Sequence, residues 1–214
     1  LFSFGGNEEL AMRAATTANS IVLSSLGIPF FQGGDEIGRT KPFDETSKAG
    51  AEFVATHFYE SAELNDQFYS GNSYNIGYET NRYRWADKVK WLDYFNAYKN
   101  LINFRLSEEG QPFRLKTATE ASNNFRHWQN TIPPLSWAAI ATENKIDAAS
   151  YTSSGAIYSF YVGRLAENDS TVETFNFGSG QVKVLFDSKG ELTGQTLSSP
   201  LTLERFRVVI VERI

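Results

Sequence analysis

The chain has 214 residues, 20 basic and 25 acidic side chains, a formal net charge of −5 and no cysteine. That excludes a disulfide framework, thiolate metal centres and a cysteine nucleophile, and mild acidity without a Lys/Arg run argues against a nucleic-acid partner. His57 and His127 are the only histidines, too few for a multi-histidine zinc site, and no apolar stretch approaches the roughly 20 residues that span a bilayer.

The length allows one large domain or two of about 100 residues. The only methionine is Met12, and the chain begins Leu1-Phe2-Ser3-Phe4 with no basic leader. It therefore reads as part of a longer protein rather than as a signal peptide. From Asn7 to Gly27 the pattern predicts a helix. Asn7 is a capping residue, Glu8 and Glu9 suit the positive end of the dipole, and Gly27 can stop it. Leu10, Ala14, Ala18, Ile21, Val22 and Ser25 form the expected packing stripe. Ile28-Pro29-Phe30-Phe31-Gln32 then reads as a strand apolar on both faces, the kind found in a parallel sheet covered by helices. Such a strand needs partners for its backbone groups, and these are expected upstream of Leu1.

Residues 39–85 read as a long loop region with a short helix around Ser47–Tyr59. An amphipathic helix follows, with Trp91, Tyr94, Phe95, Tyr98, Leu101, Ile102 and Arg105 on its inner face. After Gly110-Gln111-Pro112 the grammar changes. Ser136–Thr142, Ala156–Val162, Thr171–Phe177, Val182–Asp187 and Phe206–Val211 are short apolar or alternating runs between turn clusters such as Ser188-Lys189-Gly190 and Glu167–Ser170. Strands at that spacing predict an antiparallel sandwich. The expected division is 1–110 for the α/β part and 111–214 for the all-β part.

Candidate chemistry concentrates in two places. Asp35 and Glu36 follow the predicted strand, where barrel enzymes place active-site loops. Adjacent residues on an extended segment diverge, so they read as loop-structural rather than as an acid/base pair. The segment from Asn72 to Trp85 gathers Asn72, Tyr74, Asn75, Tyr78, Asn81, Arg82 and Trp85. Amides and guanidinium groups pair with sugar hydroxyls, and aromatic rings pack on the apolar face of a pyranose. Arg39 and Lys41 are candidates beside it; a plain surface loop is the competing reading. Gly5-Gly6 and Gly33-Gly34 fit no phosphate loop. His57 and His127 lack a partner at a telling spacing, and no cofactor is indicated.

The run Gly27-Ile28-Pro29-Phe30-Phe31-Gln32-Gly33-Gly34-Asp35-Glu36 resembles the last-strand motif of the α-amylase superfamily (glycoside hydrolase family thirteen). Within it, Glu36-Ile37-Gly38-Arg39-Thr40-Lys41 followed by Asn72-Ser73-Tyr74-Asn75 resembles the pullulanase-type debranching enzymes. Phe113-Arg114-Leu115-Lys116-Thr117-Ala118 is similar to the opening of their C-terminal β-domain. The resemblance implies the last strand and helices of a (β/α)8 barrel followed by an antiparallel β-sandwich, domain C. Residues 7–27 and 88–106 would be barrel helices and 28–32 the eighth strand. It also implies that the catalytic carboxylates lie upstream of Leu1, so that none is in this chain. What remains is donor-side sugar contact, with Arg82 at a sugar-binding Arg position and Asn81 preceding it. Tyr78, with Glu79 beside it, stands where relatives carry Asp, and residues 42–71 are long enough for a lid. The implied partners are an α-glucan and the missing N-terminal part of the protein. A non-catalytic glucan-binding or structural module stays open beside this, as does another enzyme of the superfamily (isoamylase, branching enzyme or α-1,4 hydrolase).

Overall fold

Asn7 opens the first helix as its side chain suggests: its Oδ1 accepts the backbone N–H of Leu10 at 3.0 Å. The computed structural model describes residues 6–43, 61–64, 67–71, 73–74, 76–129, 137–142, 157–162, 172–175 and 180–214. Helix α1 runs Glu8–Leu23 and ends before Gly27, which takes the left-handed conformation at φ 95. Its buried face is Thr16, Thr17, Ser20 and Leu23, which corrects the expected stripe. Ala18, Ile21 and Val22 of that stripe are exposed. The reason is local satisfaction. Thr16, Thr17, Ser20 and Ser24 each donate a hydroxyl to the carbonyl four residues earlier, so these small polar side chains are buried without an orphaned group.

Residues 28–32 are a second correction. They form no strand, because no neighbouring strand among the described residues offers them a ladder. Ile28 and Phe30 are 94% and 92% exposed, while Phe31 turns inward and meets Tyr98 edge-on at 5.2 Å.

The chain divides into two compact units, residues 1–11 with 32–95, and 12–31 with 96–214. In the first, the region expected to be loop holds regular structure. Strands β1 (Pro42–Phe43), β2 (Ser61–Leu64) and β3 (Gln67–Ser70) make an antiparallel sheet in the order β1-β3-β2. The short helix expected around Ser47–Tyr59 lies outside the described residues. Two short helices follow, α2 (Tyr78–Asn81) and α3 (Ala86–Lys90). Trp91, at φ −112 and ψ 42, separates α3 from α4 (Leu92–Leu106). On α4 the expected inner face largely holds: Tyr94, Tyr98, Leu101 and Arg105 are buried, whereas Ile102 is exposed.

In the second unit a 3-10 turn at Gln111–Arg114 buries Phe113, and helix α5 (Ala118–Asn124) follows. The β-strands are β4 (Phe125–Gln129), β5 (Trp137–Thr142), β6 (Ile157–Val162), β7 (Val172–Phe175), β8 (Gln181–Asp187), β9 (Thr196–Ser198), β10 (Leu201–Glu204) and β11 (Arg207–Arg213). They form a six-stranded antiparallel sheet, β4-β5-β6-β11-β8-β9, and a two-stranded one, β10-β7.

Strand β11 shows how the layers meet. Val208, Val209, Ile210 and Val211 are all 0% exposed, which a strand achieves only when both its faces are covered. Val209 and Val211 join Val182, Val184, Phe175, Leu201 and Leu203, so one face packs on the two-stranded sheet. Val208 and Ile210 join Leu23, Ala97, Leu101 and Phe113, so the other packs on helices. Beside this core Asp187 and Arg207 make a fork-shaped ion pair, with Nε 3.0 Å from Oδ1 and Nη2 2.7 Å from Oδ2.

Candidate functional site

Two segments of the first unit carry the candidate residues, 32–41 and 73–85. The first is shaped by its own carboxylates. Asp35 opens a 3-10 turn, Asp35–Ile37. Its Oδ2 accepts the N–H of Gln32, and Glu36 Oε2 accepts the N–H of Gly34, both at 3.0 Å. Each carboxylate thus holds a backbone amide of its own loop. Gly34 (φ 98) and Gly38 (φ 66) supply the left-handed conformations on either side of the turn.

Arg39 joins the two segments. It donates to the carbonyl of Gly33 at 3.1 Å and to that of Asn81 at 2.5 Å, and its guanidinium lies 5.0 Å from the ring centroid of Tyr83. Asn81 in turn donates its amide to the carbonyls of Ser73 (3.0 Å) and Ile76 (2.8 Å). The Nη1 and Nη2 groups of Arg39 and the amide of Asn81 therefore sit on main-chain carbonyls, while Arg39 Nε is buried with no hydrogen-bond partner among the described residues. Arg84 adds a similar tie to the carbonyls of Glu79 and Thr40. Burial, and after it the neighbouring Arg82, hold the Arg84 guanidinium below its ordinary pKa. An Asn81→Ala variant is expected to weaken the 73–76 turn locally by about 1–2 kcal/mol. Native-state hydrogen exchange at Ile76 would read this as lost protection, with the β-strands of the second unit unchanged.

Other candidates face outward. Tyr74 and Tyr78 are 88% and 75% exposed, and Arg82 makes a surface ion pair with Glu79 at 3.1 Å. Trp85 is 66% exposed and stacks on Tyr83, with ring centroids 5.6 Å apart and planes 23° apart. Tyr83 was not among the residues singled out by sequence. The signal was present, since Tyr83 and Trp85 at i and i+2 of a non-helical stretch project to one side. Asn72, Asn75 and His57 lie outside the described residues, and His127 falls on β4. No group of three or more His, Cys, Asp or Glu suited to a metal ion occurs among the described residues.

The arrangement offers aromatic rings and a guanidinium on a surface whose supports are fixed by main-chain hydrogen bonds. Those groups suit a ligand with flat apolar faces and many hydroxyls.

No family model matches the sequence. Solved structures do share the fold. A pullulanase from Anoxybacillus sp. LM18-11, complexed with maltotetraose, superposes over 97% of this chain with a TM-score of 0.66 and 22% identity. A pullulanase from Bacillus acidopullulyticus covers 96% of the chain with a TM-score of 0.64, also at 22% identity. A mutant isomaltulose synthase from Erwinia rhapontici NX5, in complex with D-glucose, covers 97% with a TM-score of 0.53 and 16% identity. The chain spans 24%, 21% and 39% of these proteins, respectively. Its fold is thus that of one stretch of pullulanases and related enzymes, in agreement with the resemblance read from residues 27–41 and 72–85.

Proposed function

We propose that this chain is the C-terminal portion of a pullulanase-like glycoside hydrolase that acts on α-glucans and cleaves α-1,6 links. The observation that carries the reading is the shared fold over 97% of the chain with a pullulanase of which it spans 24%. Residues 1–110 are read as the end of the catalytic (β/α)8 barrel and 111–214 as the C-terminal β-sandwich. Exposed Ile28 and Phe30 support a missing N-terminal part as the partner that covers the 28–32 segment. The maltotetraose held by the Anoxybacillus pullulanase supports an α-glucan as ligand.

Retaining hydrolysis of a glycosidic bond needs two carboxyl groups about 5 Å apart, one as nucleophile and one as acid/base. Asp35 and Glu36 hold loop amides instead, so in this reading the catalytic carboxylates come from upstream. The 72–85 segment, beside the 32–41 loop, supplies donor-side contacts through Asn72, Tyr74, Asn75, Tyr78 and Arg82. Arg39 and Asn81 act there by holding the loop.

The test has two arms. The pure 24.0 kDa chain is expected to release no reducing sugar from pullulan; measurable release overturns the assignment of catalysis to upstream residues. The protein that carries this chain at its C-terminus is expected to cleave pullulan at its α-1,6 links. Glucan binding without cleavage by that protein would favour a non-catalytic module.

A further inference from the structure

The geometry points to Trp85, backed by Tyr83 on a Gly33-Gly34 floor, as a preformed platform on which a glucose ring stacks. This rests on the sugar-binding reading of the loop, and it moves the principal contact away from the amide and guanidinium groups that the sequence suggests.

Three observations carry it. First, the polar groups that seemed the obvious ligands are engaged. Arg39 and Asn81 bind the carbonyls of Gly33, Asn81, Ser73 and Ile76, which makes them positioning residues. Secondly, the platform is built to a close fit. A Cβ on Gly33 would lie 2.4 Å from the Tyr83 hydroxyl oxygen, and one on Gly34 would lie 2.6 Å from Arg39 Cδ and 2.9 Å from a Tyr83 ring carbon. Only glycine lets the tyrosine and the arginine approach the loop so nearly, and at Gly34 the positive φ of 98 adds a second reason. Thirdly, the outer element is an exposed aromatic. Trp85 is 66% exposed while stacked on Tyr83, and Arg39 lies over the same tyrosine.

A rigid indole kept open to solvent loses little freedom when a ligand covers it, so contact area converts to affinity with a small ordering cost. The ligand it fits is a flat ring with an apolar face and polar edges. A pyranose has both, because its axial C–H groups gather on one face while its hydroxyls radiate at the rim. Tyr78 and the exposed Arg82–Glu79 ion pair are polar groups near Trp85 in sequence that can meet that rim.

The chain contains four tryptophans, so a ¹⁵N-labelled sample gives four indole signals, and Trp85→Phe identifies the one from Trp85. On titration of the 214-residue chain with maltotriose, that signal is expected to shift while the other three stay. Trp85→Ala is expected to weaken binding by about tenfold or more, and Trp85→Phe by no more than about threefold. Gly33→Ala, which displaces Tyr83 without touching Trp85, is expected to weaken binding as well. The unchanged indole signals of the other tryptophans report that each variant is folded. If maltotriose binds but the Trp85 signal does not move and Trp85→Ala binds like the parent chain, the platform is overturned and the sugar-binding reading of the loop survives. If the parent chain binds no maltotriose, both fall.

Discussion

Arg207→Ala is expected to lower the unfolding free energy by about 3–5 kcal/mol, the cost of leaving a buried charge without its partner. Asp187 is that charge: its side chain is 0% exposed and its carboxylate receives the Arg207 fork. Burial pushes the Asp187 carboxyl up, but hydrogen bonds from Arg207 and from the N–H groups of Leu192 and Lys189 outweigh it, and its pKa falls below 3.8. A carboxyl lowered in the folded state contributes stability that is complete above its ordinary pKa and is lost as the pH falls below it. In the parent chain this term is therefore present at neutral pH and fades below 3.8. In Arg207→Ala the side chain that lowers this carboxyl most is gone and the N–H groups of Leu192 and Lys189 remain, so this pH-dependent contribution shrinks. Urea unfolding of both proteins between about pH 3 and pH 7 is expected to show the largest difference at neutral pH. Equal stabilities there would mean that the pair is replaced by water at no cost. Glu191 also meets Arg207 at 3.0 Å, but it is 61% exposed, and its change to Gln is expected to matter little.

That pair was invisible in the sequence, because nothing in the spacing of residues 187 and 207 marks them as neighbours. They meet only because β8 and β11 pair. Local signals were legible where local chemistry decides. Asn7 caps α1 through its own side chain. The alternation of Val182, Val184 and Phe186 puts all three on buried positions. Ser188-Lys189-Gly190 turns the chain as expected, with Gly190 at φ 75. Elsewhere the outcome depends on partners. The apolar run 28–32 was read as a strand from composition, yet a strand is a relation between neighbours. Threonine and serine on α1 were passed over as packing residues, because their i−4 bonds are visible only in the folded helix. In the 73–85 segment the residue types were read correctly as sugar-like chemistry, but Asn81 and Arg39 bind main chain that sequence cannot show to be within reach. Thr117 and Glu120 form a capping box, a local signal of the same kind as the Asn7 cap: Thr117 Oγ1 accepts the Glu120 N–H, and Glu120 Oε2 accepts that of Thr117.

Arg105→Met is expected to cost about 3 kcal/mol, because charge-assisted bonds to buried carbonyls disappear together. Helix α1 ends at Leu23; Ser24 and Ser25 serve the carbonyls of Ser20, Ile21 and Val22, which leaves that of Leu23 to be met from outside the helix. A glycine two residues past the last helical one commonly solves this, but Ser25 stands there and Gly27 comes two residues later. Arg105, only 6% exposed on α4, fills the gap with donors to the carbonyls of Leu23, Ser25 and Gly27 at 2.5, 2.8 and 2.7 Å. Burial, and then the nearby Arg114, pull its pKa below the ordinary arginine value, so a charged group there depends on those three acceptors. Lysine reaches fewer of them, since it lacks the planar fork, and Arg105→Lys is expected to recover only part of the loss. Methionine replaces the aliphatic stem of the side chain and lacks only the guanidinium end, so most of the loss it reads is the polar contribution. Hydrogen exchange separates this from a general loss of core. The N–H of Ser24, bonded to the Ser20 carbonyl, is expected to lose protection in Arg105→Met before the amides of β8 and β11 do. If Ser24 and the strands lose protection together, the arginine supports the whole unit rather than the exit of α1; if urea unfolding is unchanged, water serves those carbonyls as well as the guanidinium does.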